Sequence, residues 1–413
     1  MGDEARARVV EEFDVGRAVW ATRFVFAANG GLFATWVSRI PAVRDDIGAS
    51  ERGLGFALLF IAVGSLVAMP LSGRLASRVG ARRVTSACIV ICALAYTALG
   101  LAPNLVVMSV VLLVLGGGVG VWDVAMNVSA HAVEVRAGRT LMPGFHAAWS
   151  IGTVVGAGLG ALAAKTEIDP AVHFTTLALL VGAAAVLATR SMPDRAADEP
   201  DDAETLTGEE VAGEHHVPQQ RALIRDPRLI GLGVMTFCAA WAEGAANDWL
   251  ALMLTDDRGA SEALAALGFA VFAGAMTLGR AAGNGVVATL GRVRSLRVGA
   301  VVSAVGVVAL LAVPVLGIAY VGALLWGLGI AIGFPLAMSA AGETPGRGPS
   351  AIATVATIAY SGFLVGPPLI GTIAHEIGLD RALWVVVVLT AGIFLLAGNA
   401  RSVRGGPPTA VRG

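Results

Sequence analysis

The chain is short of charge. Only 14% of its 413 residues are Asp, Glu, Lys or Arg, whereas 56% are hydrophobic and the mean hydropathy is +0.75; a soluble domain carries roughly 25% charged residues. Too few polar side chains exist to cover a water-soluble globule of this size, so an ordinary cytosolic enzyme is excluded and the solvent is lipid. Cysteine is scarce too. Cys88, Cys92 and Cys238 sit inside apolar stretches, which argues against a disulfide framework or a zinc site and for small core residues. Met1 to Arg17 offers no apolar h-region or small-residue cleavage site, so the first span is expected to do the targeting. Walker loop, dinucleotide fingerprint, metal-spaced His/Cys set and nucleophile elbow are all missing. The chain is therefore not expected to be an enzyme, to use ATP, to hold a metal or cofactor, or to bind nucleic acid.

What is present is a series of long apolar windows. A helix needs about 20 apolar residues to cross a bilayer while satisfying its own backbone, and twelve windows qualify. They are 18–38, 53–76, 84–102, 105–130, 141–164, 171–190, 228–253, 262–288, 295–316, 318–341, 350–374 and 381–400. The expected fold is all-α, with twelve transmembrane helices in two six-helix bundles. Placing the N-terminus in the cytoplasm leaves 21 basic residues inside and six outside (Arg39, Arg44, Arg52, Lys165, Arg258, Arg381), with Arg23 and Arg280 within spans. Basic loops resist translocation, so both termini are expected in the cytoplasm of a multi-pass cell-membrane protein, and a monomer is expected.

The formal net charge of -1 conceals an asymmetry. Between Ser191 and Gln220, nine acids face one arginine, or -8, and the other 383 residues carry 28 basic and 21 acidic groups, or +7. Residues 191–227 thus read as an acidic cytoplasmic linker between an N-terminal bundle, 1–190, and a C-terminal bundle with a short tail, 228–413.

The halves also resemble each other. An offset of 211 superposes Leu115-Gly116-Gly117-Gly118 on Trp326-Gly327-Leu328-Gly329, Gly80-Ala81-Arg82-Arg83 on Gly291-Arg292-Val293-Arg294, Ser150 on Ser361 and Gly160 on Gly371. Two six-span halves of equal orientation form parallel repeats about an axis along the membrane normal, and the interface of such halves is where secondary transporters keep their substrate.

The segment Gly73-Arg74-Leu75-Ala76-Ser77-Arg78-Val79-Gly80-Ala81-Arg82-Arg83 resembles the cytoplasmic signature of the major facilitator superfamily, with Ser77 where that signature has aspartate. The resemblance implies a gating role for Gly73, Arg74, Arg78, Gly80, Arg82 and Arg83. Gly118-Val119-Gly120-Val121-Trp122-Asp123-Val124-Ala125-Met126-Asn127 is similar to a stretch of fucose-permease-like sugar symporters. The longer string through Phe145-His146-Ala147-Ala148-Trp149-Ser150 looks closer to the rhizopine-transporter-like branch. By that resemblance Asp123 is the proton-coupling carboxylate, and the aspartate of those symporters' first span has no counterpart here, where Asn29, Thr35 and Trp36 are offered instead.

An ionisable group within a span is costly, so each is a candidate. Asp123, Asn127, His131 and Glu134 share one face of span four, Asp123 lying deepest at about 12 Å from the cytoplasmic end. His131 and Glu134 read as boundary residues. His146 could relay a proton beside Asp123, and Trp149 could stack on a solute. In span seven Trp241, Glu243 and Asn247 suit hydroxyl recognition, since carboxylate and amide together accept and donate. Asp248 and Trp249 are expected at the membrane interface. Arg23 and Arg280 are expected to snorkel from helix ends. The chain so read moves a small polar, sugar- or polyol-like solute together with protons by alternating access. The alternatives are a drug or metabolite exporter of the same superfamily and a transport-inactive sensor or scaffold.

Overall fold

A computed structural model describes residues 14–139, 141–193, 226–345 and 348–402, the side chains at 74, 77, 348 and 349 excepted. All regular structure among the described residues is helical. The first half comprises α1 (Val15–Val37), α2 (Ile40–Ile47), α3 (Glu51–Val79), α4 (Ala81–Gly100), α5 (Leu105–Ala137), α6 (Met142–Lys165) and α7 (Pro170–Thr189). The second comprises α8 (Pro227–Asp256), α9 (Glu262–Leu290), α10 (Arg292–Ala312), α11 (Leu316–Ile330), α12 (Gly333–Gly342), α13 (Gly348–Ile377), α14 (Leu379–Ala382) and α15 (Val385–Leu396). The acidic segment falls almost wholly outside the described residues, as does the C-terminal tail.

Among the described residues, eleven helical stretches are long and apolar enough to cross a bilayer. The twelfth expected span is α1, whose 23 residues carry Arg17 and Arg23 and extend about 35 Å. Side chains that would be faults in water face outward all round: Leu395 is 74% and Val106 73% exposed, as lipid-facing residues should be. Three features differ from the expected spans. The short α2 was not foreseen. The tenth span breaks between Ile330 and Gly333, and α5 runs to Ala137 before Gly138 ends it at φ 62°. The last difference matters for depth. Asp123 lies 14 residues before the end of α5, about 21 Å at 1.5 Å per residue, and not 12 Å.

The offset of 211 is realised in the helices themselves. Ser50 caps α3 by accepting from Gly53 N–H and Ser261 caps α9 by accepting from Leu264 N–H, 211 residues later. Gly48 and Gly259 both take left-handed backbone at φ 63° and 62°, and Gly80 and Gly291 turn the next corner at φ 99° and 74°. Packing repeats as well: α1 lies along α6 as α8 lies along α13, and α3 lies along α5 as α9 lies along α11. Across the seam α6 meets α9 and α3 meets α13, which is the arrangement a twofold axis between two bundles generates.

Close approach explains the glycine stripes. A Cβ on Gly152 or Gly156 of α6 would overlap the backbone carbonyls of Ala27 or Gly31 of α1, so these helices touch backbone to backbone. The three cysteines are free and buried, in keeping with a core role.

At the end remote from the chain termini, ion pairs join the bundles. Arg44 binds Asp256 at 2.5 Å, Arg52 binds Glu376, and Arg39, 3% exposed, reaches Glu262 at 3.4 Å while donating to Ile168 O at 3.0 Å. Beneath them Gly55 of α3 abuts the Pro367 carbonyl of α13. That end is closed.

Candidate functional site

Asp123 lies two residues from the middle of α5 and Glu243 within two of the middle of α8, so both carboxylates sit at mid-membrane depth. Around Asp123 the first bundle supplies amides and rings. Asn127, one turn on, donates from Nδ2 to the Asp123 carbonyl at 2.8 Å and to Oδ1 at 3.3 Å. Among the described residues Asp123 forms no ion pair.

Two expected residues on different helices meet directly. Trp149 Nε1 of α6 donates to Asn29 Oδ1 of α1 at 2.9 Å, which the close backbone approach at Gly152 permits. Asn29 is 5% exposed and its Nδ2 has no hydrogen-bond partner among the described residues. A buried donor left unmade is costly, and it is what a solute oxygen would satisfy. Phe33 stacks beside Trp149 with ring centres 6.4 Å apart, giving that wall an apolar face.

The second bundle contributes an ion pair. Arg280 of α9 places Nη2 3.2 and 3.3 Å from the two carboxylate oxygens of Glu243. Arg280 therefore does not snorkel from a helix end as expected; ten residues remain between it and the end of α9, and its partner holds it inward. Tyr360 of α13 lies within electrostatic reach of both Asp123 and Glu243 although 49% of it is exposed. His146 of α6, edge-on to Phe26 at 5.3 Å, is within reach of Arg280 across the seam. Asp123, His146, Glu243, Arg280 and Tyr360 thus form one cross-bundle set.

Other expected site residues fall elsewhere. Trp36 is 1% exposed, its ring edge-on to Phe174 at 6.2 Å, so it presents no surface to a solute in this conformation. Trp241 is 7% exposed and packed on Gly362 and Gly366, with Nε1 unpartnered. Asn247 and Asp248 are half-buried. Trp249 is fully buried against Gly371, which corrects its expected place at the membrane interface. Glu134 accepts from the backbone N–H groups of Leu141 and Met142 at 2.5 and 2.7 Å, holding the turn into α6. In the gating segment Arg78 is exposed and Arg83 approaches the Val79 carbonyl at 3.4 Å.

Comparison with known proteins gives one answer along the whole length. The family description "Major Facilitator Superfamily" matches residues 19–348 and again 232–411. An uncharacterized MFS-type transporter of Yersinia pestis is 34% identical over 386 residues, 93% of this chain and 95% of that one. Membrane protein MosC of Rhizobium meliloti is 27% identical over 90% of this chain and 87% of its own. Among solved structures, the nucleoside transporter NupG superposes with a TM-score of 0.74 at 14% identity, covering 93% of this chain and 98% of that one. A bacterial homolog of the lysosomal transporter Spinster, inward-facing and unoccupied, gives 0.74 at 14%, covering 94% and 98%.

Proposed function

Because the chain belongs to the Major Facilitator Superfamily, we propose that it is a proton-coupled secondary transporter of a small polar, sugar- or polyol-like solute. Residues 1–190 and 228–413 would be the two bodies that rock about the mid-membrane set, tethered by 191–227. Positive-inside counting places the ion-paired end outside, so the described conformation is closed to the exterior. The observation that carries the reading is the contrast between two mid-membrane carboxylates: Glu243 pairs with Arg280, whereas Asp123 has no ion pair among the described residues and is met by Asn127. An acid without a counter-charge in an apolar body is the one suited to gain and lose a proton during the cycle. Asn29 with its unused donor, Trp149 and Asn127 on one side, and Glu243 and Tyr360 on the other, supply the mixed donors and acceptors that hydroxyl recognition needs.

Proteoliposomes test the assignment. Asp123→Asn should abolish accumulation driven by a pH gradient while leaving counterflow exchange measurable. Undiminished gradient-driven uptake by that variant would remove Asp123 from coupling. Ligand screening by thermal stabilisation, over sugars, polyols, amino acids and drugs, identifies the solute class, since a bound ligand raises apparent stability.

A further inference from the structure

A cleft of about 250 Å³ opens on the termini side of the second bundle, between the later part of α9, the start of α10, and the α11–α12 break. It has room for about eight waters. Its polar lining is Arg280, Asn284, Arg292 and Ser339, against an apolar wall that includes Ile332 and Leu336, and no carboxylate lines it. Every one of those four side chains donates hydrogen bonds, and two carry positive charge.

Arg280 at its inner end is only partly engaged. A well-made guanidinium–carboxylate pair is a fork on a fork with N···O near 2.7–2.9 Å. Here a single nitrogen is shared between both Glu243 oxygens at 3.2 and 3.3 Å, leaving Nε and Nη1 for another acceptor. Arg292 at the rim is held by Glu343 at 2.7 Å and touches Ser339 at 3.2 Å. α10 begins there with no side-chain cap, so the positive end of its dipole adds to the field at the cleft mouth.

We propose that this cleft binds a small organic or inorganic anion, a carboxylate or phosphate, through Arg280, and that the anion competes with Glu243 for that guanidinium. The cleft shares Arg280 with the mid-membrane set, but its occupancy is measurable without flux. It also links the termini side to the mid-membrane set: an anion that draws Arg280 away leaves Glu243 without its counter-charge.

The test uses the full chain in nanodiscs of neutral phosphatidylcholine, titrated at constant ionic strength with inorganic phosphate and with gluconate and followed by thermal stabilisation. Saturable stabilisation by either anion is expected. Arg280→Gln should weaken it about tenfold or more, the scale of a hydrogen bond to a charged group. Arg280→Lys should retain part of the affinity, and Asn284→Leu should weaken it severalfold. Glu243→Gln should tighten binding, because the competing carboxylate is gone. Discs containing phosphatidylglycerol separate the two sources of such a ligand: unchanged affinity assigns the cleft to a soluble anion, and competition by the lipid assigns it to a headgroup phosphate. No saturable stabilisation by either probe overturns the proposal. Equal affinity in wild type, Arg280→Gln and Glu243→Gln overturns it equally.

Discussion

The two halves of this chain share a scaffold and differ in chemistry. Caps, corners and helix pairings recur at an offset of 211, yet the polar residues at corresponding mid-membrane positions do not. Asp123 corresponds to Phe334, Asn127 to Met338 and Asn29 to Ala240; in the other direction Glu243 corresponds to Leu32 and Arg280 to Met69. One pair keeps a common character: Trp149 corresponds to Tyr360, and both are aromatic side chains with a polar tip. Duplication therefore preserves what packing demands, while charge is distributed so that each half supplies what the other lacks. The first half brings Asp123, which has no ion pair among the described residues, and the second brings Glu243, already paired with Arg280.

The packing side of the comparison gives the largest expected effect. Small-residue stripes draw α6 onto α1 and α13 onto α8, but at different registers: Gly152 meets backbone of Ala27, whereas Gly366 meets the ring of Trp241. A carbonyl in a helix cannot step aside, and an indole can rotate. Gly152→Leu is therefore expected to destabilise by about 3 kcal/mol, the upper end of overpacking costs, and Gly366→Leu by less. Gly158→Leu should be neutral, because nothing lies within 4 Å of a Cβ there. Thermal unfolding in detergent orders the three variants, and an equal loss in Gly152→Leu and Gly158→Leu would refute the backbone contact.

The charge side predicts effects of opposite sign. Glu243→Gln strands Arg280, which is only about a third exposed, and should cost about 1–2 kcal/mol, between the values for surface and buried pairs. Glu243→Gln combined with Arg280→Met should recover most of that loss. Asp123→Asn removes a charge that has no counter-ion among the described residues and keeps an amide beside Asn127, so it should leave stability unchanged or raise it. A destabilised Asp123→Asn would mean that Asp123 has a cation partner in the resting state.

Hydropathy and repeat spacing made the scaffold legible, because span length and the 211 offset are properties of one strand of text. Asn29, Trp149, Asp123, Asn127, Glu243 and His146 were all legible as polar residues in apolar spans. Their partners were less so. Arg280 reads from sequence as a snorkelling residue, because nothing in α9 alone shows that its side chain points toward α8, 37 positions earlier. That direction is set by helix rotation in the packed bundle. Tyr360 was missed although a signal existed: applying the offset to Trp149 lands on it. Trp249 erred the other way, since an aromatic residue looks the same in sequence whether it sits at the membrane interface or fills a core, and Trp36 is likewise buried in this conformation.

The smallest expected effect lies at the closed end, where the offset pairs Asp46 with Asp257. Both carboxyls are pushed above their ordinary range, each first by partial desolvation, although both side chains remain exposed. Asp46 is raised further by Asp169 and lowered by Arg39; Asp257, raised to about 6, is pushed further by Asp380 and Asp256. An acid whose folded pKa exceeds its unfolded value of about 3.9 binds more protons when folded, so its contribution is full below pH 4 and is lost as pH rises through 6. Asp257 is exposed, so screening limits the loss to about 1 kcal/mol or less. Asp257→Asn should therefore flatten the dependence of the unfolding temperature on pH between 4 and 7, and Asp46→Asn should flatten it less, because Arg39 already offsets that charge. If Asp46→Asn had the larger effect, the two corners would be alike in backbone but inverted in electrostatics, and the closed end would be governed by its first-half corner.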